Sequence, residues 1–509
     1  MGVPFILYTF YLILPIMEGY EVNDILKVLP PTPPKADVDL IMRAYDFALK
    51  AHQGQVRMSG EPYFIHVFET AKNLARYEMD ATTIAAGFLH DVVEDAKTSE
   101  KDLEAEFGKE ILGLVKGVTK LGRIKYQGHL RHVESLRKFL VALAQDYRVL
   151  MIKLADRLHN LQTLNHVRDD KQRRIALESI EVYAPLADRL GIGRMKGELE
   201  DAAFPFAYPE EYEKMEKLLA EKSEEMKNSL ESVYKELSAQ LESSRVNVNK
   251  IDYRIKHKYS LWKKLQEKDN NLDYIYDVVA LRVIVNSVED CYAVLGIIHS
   301  LWKPLPARIK DYIALPKLNG YQSLHTTIFI GDGKFVEVQI RTLEMHGRAE
   351  FGIASHYLYK EEPKHGEKNS KFHWIKDFKN LGKSVDEPED FLDHLKADFF
   401  SDRIFVFTPA GEVIDLPKGS STIDFAYTIH SDIGNRACGA RINGKFVSID
   451  TILQSSDIVE IQTRKDGAPK ERWLSFAKTT MAKKQIRAYL NAEQQKGILN
   501  RFFPNKFRL

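Results

Sequence analysis

In Phe335-Val-Glu-Val-Gln-Ile-Arg341, apolar and polar residues alternate without a break from Val336 on. That period belongs to a half-buried strand and not to a helix. It puts Val336, Val338 and Ile340 on a core face and leaves Glu337, Gln339 and Arg341 on an open face. A strand has to be paired, so its neighbourhood must supply a sheet. Gly331-Asp-Gly333 reads as the hairpin turn just before it, and Asp277-Val-Val-Ala-Leu-Arg-Val-Ile-Val285 as a second strand that opens on a carboxylate. Two strand-borne acids, Asp277 and Glu337, can then meet at one end of the sheet, where such a pair suits Mg²⁺ and general-base chemistry.

The same stretch is rich in cations. Tyr253-Arg-Ile-Lys-His-Lys-Tyr-Ser260 leads into Lys263 and Lys264, so Arg254, Lys256, His257 and the two lysines make a basic face on an element entering a helix. A charge run alone is usually a solvated face. Here the acids and the Asn319-Gly320-Tyr321 loop change the balance, because Gly320 permits close backbone approach and Tyr321 offers a flat ring to a base. Cations, acids and a Gly-Tyr loop together are the equipment of phosphate transfer on nucleotides.

One core cannot serve 509 residues, and three domains are expected. From Asp37 to about Phe204 helical periodicity recurs, as in Leu40, Ile41, Ala44, Tyr45 and Ala48. Ligand-type residues stand there inside apolar runs: His66, the His90-Asp91 pair, Glu94-Asp95, and Asp156 with Asn160. On a continuous helix His90 and Glu94, and Asp91 and Asp95, lie one turn apart. Two His and two Asp suit Mn²⁺, Fe²⁺ or Zn²⁺ better than Mg²⁺ or Ca²⁺.

The remaining segments are plainer. Val3–Met17 is apolar but short for a membrane span and lacks the preceding Lys or Arg of a signal peptide, so Met17 is expected to be the true start. Glu198–Ser244 reads as a solvated helix or helical pair that acts as a spacer. Glu361 to about Lys396 reads as a linker, and from Arg403 short strands and a helix suggest a small β unit. A net charge of +1 excludes a uniformly basic nucleic-acid coat, and two distant cysteines, Cys291 and Cys438, fit a reducing, cytoplasmic setting.

These motifs resemble a known family. His66, His90-Asp91 and Asp156 resemble the HD phosphohydrolase superfamily. Val56-Arg-Met-Ser-Gly-Glu-Pro-Tyr63, Gly87-Phe-Leu-His-Asp-Val-Val-Glu-Asp95 and Lys153-Leu-Ala-Asp-Arg-Leu-His-Asn160 look like the hydrolase domain of the RelA/SpoT alarmone enzymes. The resemblance implies that His66, His90, Asp91 and Asp156 hold Mn²⁺, that Glu94 and Asp95 orient or activate the attacking water, and that Arg57 and Asn160 hold the nucleotide. Met58 and Val67 depart from the basic residue and the proline usual there. The stretch after Tyr253 resembles the synthetase domain, a nucleotidyltransferase-like fold. That likeness gives Arg254, Lys256, His257, Ser260 and Lys264 to ATP phosphates, Asp277 to Mg²⁺, Glu337 to activation of the 3′-hydroxyl of GDP or GTP, and Tyr321 to guanine. Lys310, Lys317, Asn319 and His325 would line the acceptor side, while Arg348, His356 and Tyr357 continue the family text. Arg308-Ile-Lys-Asp311 is the basic form of a motif that is acidic in the synthesis-only branch. The C-terminal unit resembles a TGS domain, in which His430 and Arg436 would contact an uncharged tRNA end.

The expected architecture is an N-terminal extension (1–36), an all-α HD-type hydrolase domain (37–204), a helical connector (205–248), and an α+β nucleotidyltransferase-like synthetase domain with a mixed sheet (249–362). A linker (363–400), a β-grasp TGS domain (401–464) and the start of a helical domain (465–509) follow. The expected function is bifunctional: ATP and GDP/GTP give (p)ppGpp in one site, and a Mn²⁺ site hydrolyses it. No membrane partner is expected. A hydrolase-dominant enzyme, or a tRNA- or ribosome-binding sensor with a silent synthetase, stands as the alternative.

Overall fold

The computed structural model describes residues 19–29, 32–96, 98–122, 146–244, 246–267, 278–306, 308–317, 319–331, 334–352 and 403–502. Asp277, the Asp332-Gly333 turn, His356, Tyr357, the Val3–Met17 segment and the expected linker lie outside the described residues. The chain forms two compact units, one of residues 1–125 with 135–380 and one of 126–134 with 381–509.

The first unit begins with helices α1 (Val22–Leu26), α2 (Lys35–Ala51), α3 (Tyr63–Arg76), α4 (Ala81–Leu89), α5 (Val92–Asp95), α6 (Glu100–Gly122, broken at Gly108) and α7 (Tyr147–Gln162). Ile41, Ala44 and Ala48 of α2 are buried at helical spacing, as the periodicity requires. Asp80 caps α4 by accepting from the Thr83 amide, and every residue of α4 from Thr83 onward is buried. Asp146 caps α7 in the same way, accepting from the Arg148 amide.

The expected continuous helix through His90 and Glu94 is not there. Helix α4 stops at Leu89, and Asp91 (φ −104°, ψ −4°) is the N-cap of the separate, four-residue α5. The cause is local. The His90 ring donates from Nδ1 to the Gly87 carbonyl at 2.8 Å, taking the acceptor that the Asp91 amide would need in a continuing helix.

Next come α8 (Asp169–Glu178), α9 (Ala184–Arg189), α10 (Gly193–Ala207) and α11 (Pro209–Glu242). The helical pair is as expected, but α11 is not a solvated spacer along its length. Leu230, Val233, Leu237 and Leu241, on one helical stripe, are buried in the core of the sheet domain. The charged pattern hid an apolar stripe that buries Met215 near the start of the helix and these four residues in its last three turns.

That sheet has the order β1-β2-β5-β4-β3, with β1 (Val248–Ile255), β2 (Val279–Val285), β3 (Lys310–Asp311), β4 (Leu324–Gly331) and β5 (Lys334–Thr342). Strands β2 and β5 run parallel and the other pairs antiparallel, so the sheet is mixed. Helices α12 (Lys258–Gln266), α13 (Val288–Leu301) and α14 (Leu343–Phe351) accompany it. Val336, Val338 and Ile340 pack against α11 and α13, as the alternation implies. The opposite face is not open where the sequence suggested. Gln339 is 3% and Arg341 1% exposed. Alternation tells which residues share a face, and tertiary packing decides whether that face is covered.

The second unit carries the antiparallel pair β6 (Arg403–Phe407) and β7 (Val413–Pro417), then α15 (Thr422–Ile429) and α16 (Ser431–Arg436). A second sheet has the order β10-β8-β9, from β8 (Ala437–Ile442), β9 (Lys445–Val447) and β10 (Val459–Thr463), and α17 (Thr480–Phe502) follows. A parallel bridge between Phe407 and Ile458 ties the strands together. Asp424, fully buried in the first turn of α15, accepts from the Ser421 amide and hydroxyl and from the Lys478 amide, the Thr479 amide and the Thr479 hydroxyl. One carboxylate thus closes the capping box of α15 and fixes the approach to α17.

Candidate active sites

In the helical half, α3 supplies His66, the end of α4 supplies His90, and α7 supplies Asp156. Their ligand atoms lie within 4.8 Å of one another, and all three side chains are buried. The fourth expected ligand, Asp91, puts Oδ2 3.1 Å from His90 Nε2 and 3.6 Å from His66 Nε2. His66 Nε2 is 3.2 Å from Asp156 Oδ1. With Nδ1 satisfied by Gly87, His90 presents its buried Nε2 inward, 3.1 Å from Asp91 Oδ2. Buried imidazole nitrogens turned toward carboxylates in this way form a donor set that suits a divalent cation. The residues fit a divalent metal.

The electrostatics agree. Burial alone would push the His90 imidazole down, but Asp91 and then Asp156 outweigh it and hold it up at about 9. Burial would raise Asp156, yet Lys153, 2.7 Å from its Oδ2, and His66 hold the carboxyl well below its usual range. Carboxylates strong enough to keep a proton on a buried imidazole equally favour a dication among the same atoms.

Several neighbours escaped the sequence reading. Tyr63 OH lies 2.8 Å from both Asp91 Oδ2 and Asp95 Oδ2, bridging the two acids. His159 Nδ1 sits 2.9 Å from His66 Nδ1, and burial, with His66 and Arg57 adding to it, pushes its imidazole down to about 3. Lys153 orients Asp156. Only the helical spacing of Lys153, Asp156 and Asn160 on α7 could have flagged it. Arg57 donates to Asn160 Oδ1 at 2.6 Å and to Thr163 Oγ1 at 3.2 Å, so the two expected nucleotide holders are adjacent. Glu94 and Asp95 are exposed at the end of α5, and Met58, 73% exposed, stands in the turn beside Arg57.

In the sheet half, register places Arg254 opposite Ala280 and Ala280 opposite Glu337, so all three share one face of the sheet. Glu337 Oε1 lies 3.3 Å from His325 Nδ1 and accepts from Gln339 Nε2 at 2.7 Å. His325 Nε2 is 2.7 Å from Tyr321 OH, and Lys317 Nζ lies 5.2 Å from the centroid of the Tyr321 ring. Lys317, Tyr321 and His325 therefore form a continuous line that ends on Glu337. Lys310 pairs with His325 across β3 and β4. Asn319 Oδ1 accepts from the Tyr321 amide, and its Nδ2 donates to the Asp188 carbonyl of α9. Gly320, at φ +76°, supplies the left-handed turn.

The expected phosphate-binding residues divide. Arg254 donates to Gln339 Oε1 at 3.2 Å on the sheet face. His257 and Ser260 turn instead to carboxylates of α10: Asp201 for the first, at 2.8 Å, and Glu200 for the second, at 3.0 Å. Further along the same face, Glu350 of α14 meets Arg341 at 3.0 Å and Arg282 at 3.3 Å. In the second unit His430 is exposed and is the N-cap of α16, its Nδ1 accepting from the Asp432 amide; Arg436 is also exposed.

Three family descriptions match the chain: HD domain over residues 44–193, region found in RelA / SpoT proteins over 253–364, and TGS domain over 404–463. A protein of Aquifex aeolicus named guanosine-3′,5′-bis(diphosphate) 3′-pyrophosphohydrolase is 44% identical over 94% of this chain and 68% of its own length. A GTP pyrophosphokinase of Myxococcus xanthus is 41% identical over 95% of this chain and 66% of its own. The bifunctional (p)ppGpp synthase/hydrolase SpoT of Escherichia coli is 41% identical over 90% and 65%. The chain spans about two thirds or less of the length of most such relatives. No helix among the described residues is long and apolar enough to cross a membrane. With HD, synthetase and TGS segments in this order, and the Aquifex relative covered over more than two thirds of its length, the chain belongs to the RelA/SpoT family.

Proposed function

We propose that this chain both hydrolyses and makes (p)ppGpp, in two sites on one unit. The observation that carries the reading is the pair of constellations: His66, His90 and Asp156 within 4.8 Å in one half, and Glu337 at the end of the Tyr321–His325 line in the other.

In the hydrolase site His66, His90, Asp91 and Asp156 would hold Mn²⁺. When bound, such an ion lowers the pKa of a coordinated water and neutralises phosphate charge. The protein does the rest. Gly87 fixes the His90 tautomer, Lys153 orients Asp156, and Tyr63 orders Asp91 and Asp95. Arg57 and Asn160 receive the nucleotide, and Glu94 and Asp95 take the proton from water as it attacks the 3′-diphosphate. The products are GDP or GTP and diphosphate.

In the synthetase site Asp277 would hold Mg²⁺, which neutralises the triphosphate. Glu337 accepts the 3′-hydroxyl proton, and His325 beside it orders the carboxylate. The acceptor oxygen then attacks the β-phosphorus of ATP, and AMP leaves. Tyr321 offers its ring to guanine, with Lys310, Lys317 and Asn319 around the acceptor phosphates. His430 and Arg436, both exposed, would contact an uncharged tRNA end.

The test is nucleotide chromatography after two incubations, ATP and GDP with Mg²⁺, and ppGpp with Mn²⁺. Products in both tubes are expected. Glu337→Gln should stop synthesis and spare hydrolysis, and Asp156→Ala the reverse. A wild-type chain, folded and metal-loaded, that turns over neither mixture overturns the reading and favours a binding-sensor role.

A further inference from the structure

We propose that Asp201 and Glu200 of α10 set the affinity for the donor nucleotide, because their carboxylates sit on the anion-binding groups that ATP phosphates need. The proposal rests on the synthetase reading given above and adds two residues from outside the sheet domain to that site.

The argument starts at the first turn of α12. Its N-cap is His257, and its first amides are unpaired within the helix. Such an end attracts anions. The anion found there is internal: Asp201 Oδ1 accepts from the Tyr259 amide at 3.1 Å, and Oδ2 accepts from His257 Nδ1 at 2.8 Å. One residue on, the Ser260 hydroxyl donates to Glu200 Oε2 at 3.0 Å. His257 and Ser260 are two of the residues that the family text gives to ATP phosphates. A phosphate and Asp201 cannot both take the same amide and imidazole, and their like charges repel.

The carboxylates do not simply drift over the site. Helix α10 is tied to the segment after α3, where Glu198 accepts from Tyr77 OH at 3.0 Å. Gly197 lets the His257 ring lie directly against α10, since any Cβ there would overlap the ring. Trp262, one turn into α12, packs on Phe204 and Tyr208 at 5.3 and 4.8 Å. Glu200 is 7% exposed. ATP must therefore displace a held carboxylate, and part of its binding energy is spent on that displacement.

The experiment uses the full chain and two readouts. Calorimetric titration with α,β-methylene ATP and Mg²⁺ measures donor binding without turnover, and initial rates of synthesis give KM for ATP and for GDP. Asp201→Asn keeps an acceptor for the Tyr259 amide but removes the charge. Donor Kd and ATP KM should each fall about tenfold, the scale of one charge-assisted hydrogen bond, with GDP KM unmoved. Gly197→Ala, which pushes the ring off α10, should also tighten the analogue. A merely structural role would lower thermal stability without tightening binding. Unchanged or weaker analogue binding in Asp201→Asn overturns the proposal. Tighter binding with no synthesis by any variant sustains it and instead overturns the synthetase reading.

Discussion

Replacing Glu350 by Gln tests the energetics of the sheet that carries Glu337. Two nearly buried arginines, Arg341 and Arg282 with side chains 2% and 11% exposed, share this one carboxylate. Gln keeps the shape and an acceptor oxygen for Arg341, so only the charge is lost. Removing one partner from a buried ion pair costs about 3–5 kcal/mol. Glu350 is 22% exposed, which places the effect at the lower end, about 3 kcal/mol. The readout is hydrogen exchange of a peptide covering β5, which reports local opening and needs no two-state assumption for a chain with two units. At about 1.4 kcal/mol per decade, exchange there should accelerate roughly a hundredfold. Adding Arg341→Met should recover much of the loss, because it removes one of the stranded charges. Burial would raise the Glu350 carboxyl, but Arg282 and Arg341 outweigh it and hold it below its ordinary value of 4.5. A depressed carboxylate contributes stability that is full above its unfolded pKa and lost as pH falls through the folded one. The gap between wild type and Glu350→Gln should therefore be complete above pH 4.5 and shrink below it. Less than a threefold change in β5 exchange at neutral pH would refute the reasoning.

Three further outcomes are expected. Tyr63→Phe removes the hydroxyl shared by Asp91 and Asp95, so Mn²⁺ affinity by titration should weaken about 10–100-fold and hydrolysis should fall while synthesis holds. Gly352→Ala forces a Cβ onto the backbone of Leu190–Ile192 at φ +54°, and should lower the melting temperature by several degrees; Gly347→Ala, which meets nothing within 4 Å, should not. Burial pushes the Cys291 thiol up to about 12, whereas Cys438 is exposed, so a thiol reagent should modify Cys438 alone in the native protein and both after denaturation.

The clustering of the candidate ligands was legible because these residues broke a local pattern. His66, His90 and Asp156 are polar residues inside apolar runs, and burial of such groups demands a partner. Glu337 was assigned to a face by the alternation from Val336 to Arg341, and the register puts it beside Ala280 on that face. What stayed hidden depended on approach between distant segments. Tyr63 and His159 look like ordinary members of amphipathic helices until α3, α4 and α7 come together. Glu200 and Asp201 were lost in a charged stretch, because composition cannot say which carboxylate finds a helix end some sixty residues away. The break at His90-Asp91 was equally invisible, since it hangs on one side-chain hydrogen bond to Gly87. Gln339 and Arg341 were misplaced for the opposite reason: polar residues on a strand look exposed until buried charge partners such as Glu350 appear.

Asp424 has a consequence for the order in which the chain matures during synthesis. Its carboxylate is fully buried, and three of its five donors come from Lys478 and Thr479, more than fifty residues downstream. A nascent chain that has exposed only the segment through Thr463 has all the second unit's strands among the described residues, but its Asp424 carboxyl faces an apolar interior with those donors missing. A polar group is costly to bury short of its partners. The module should stay loose on the ribosome until residue 479 clears the exit tunnel, and then close in one step.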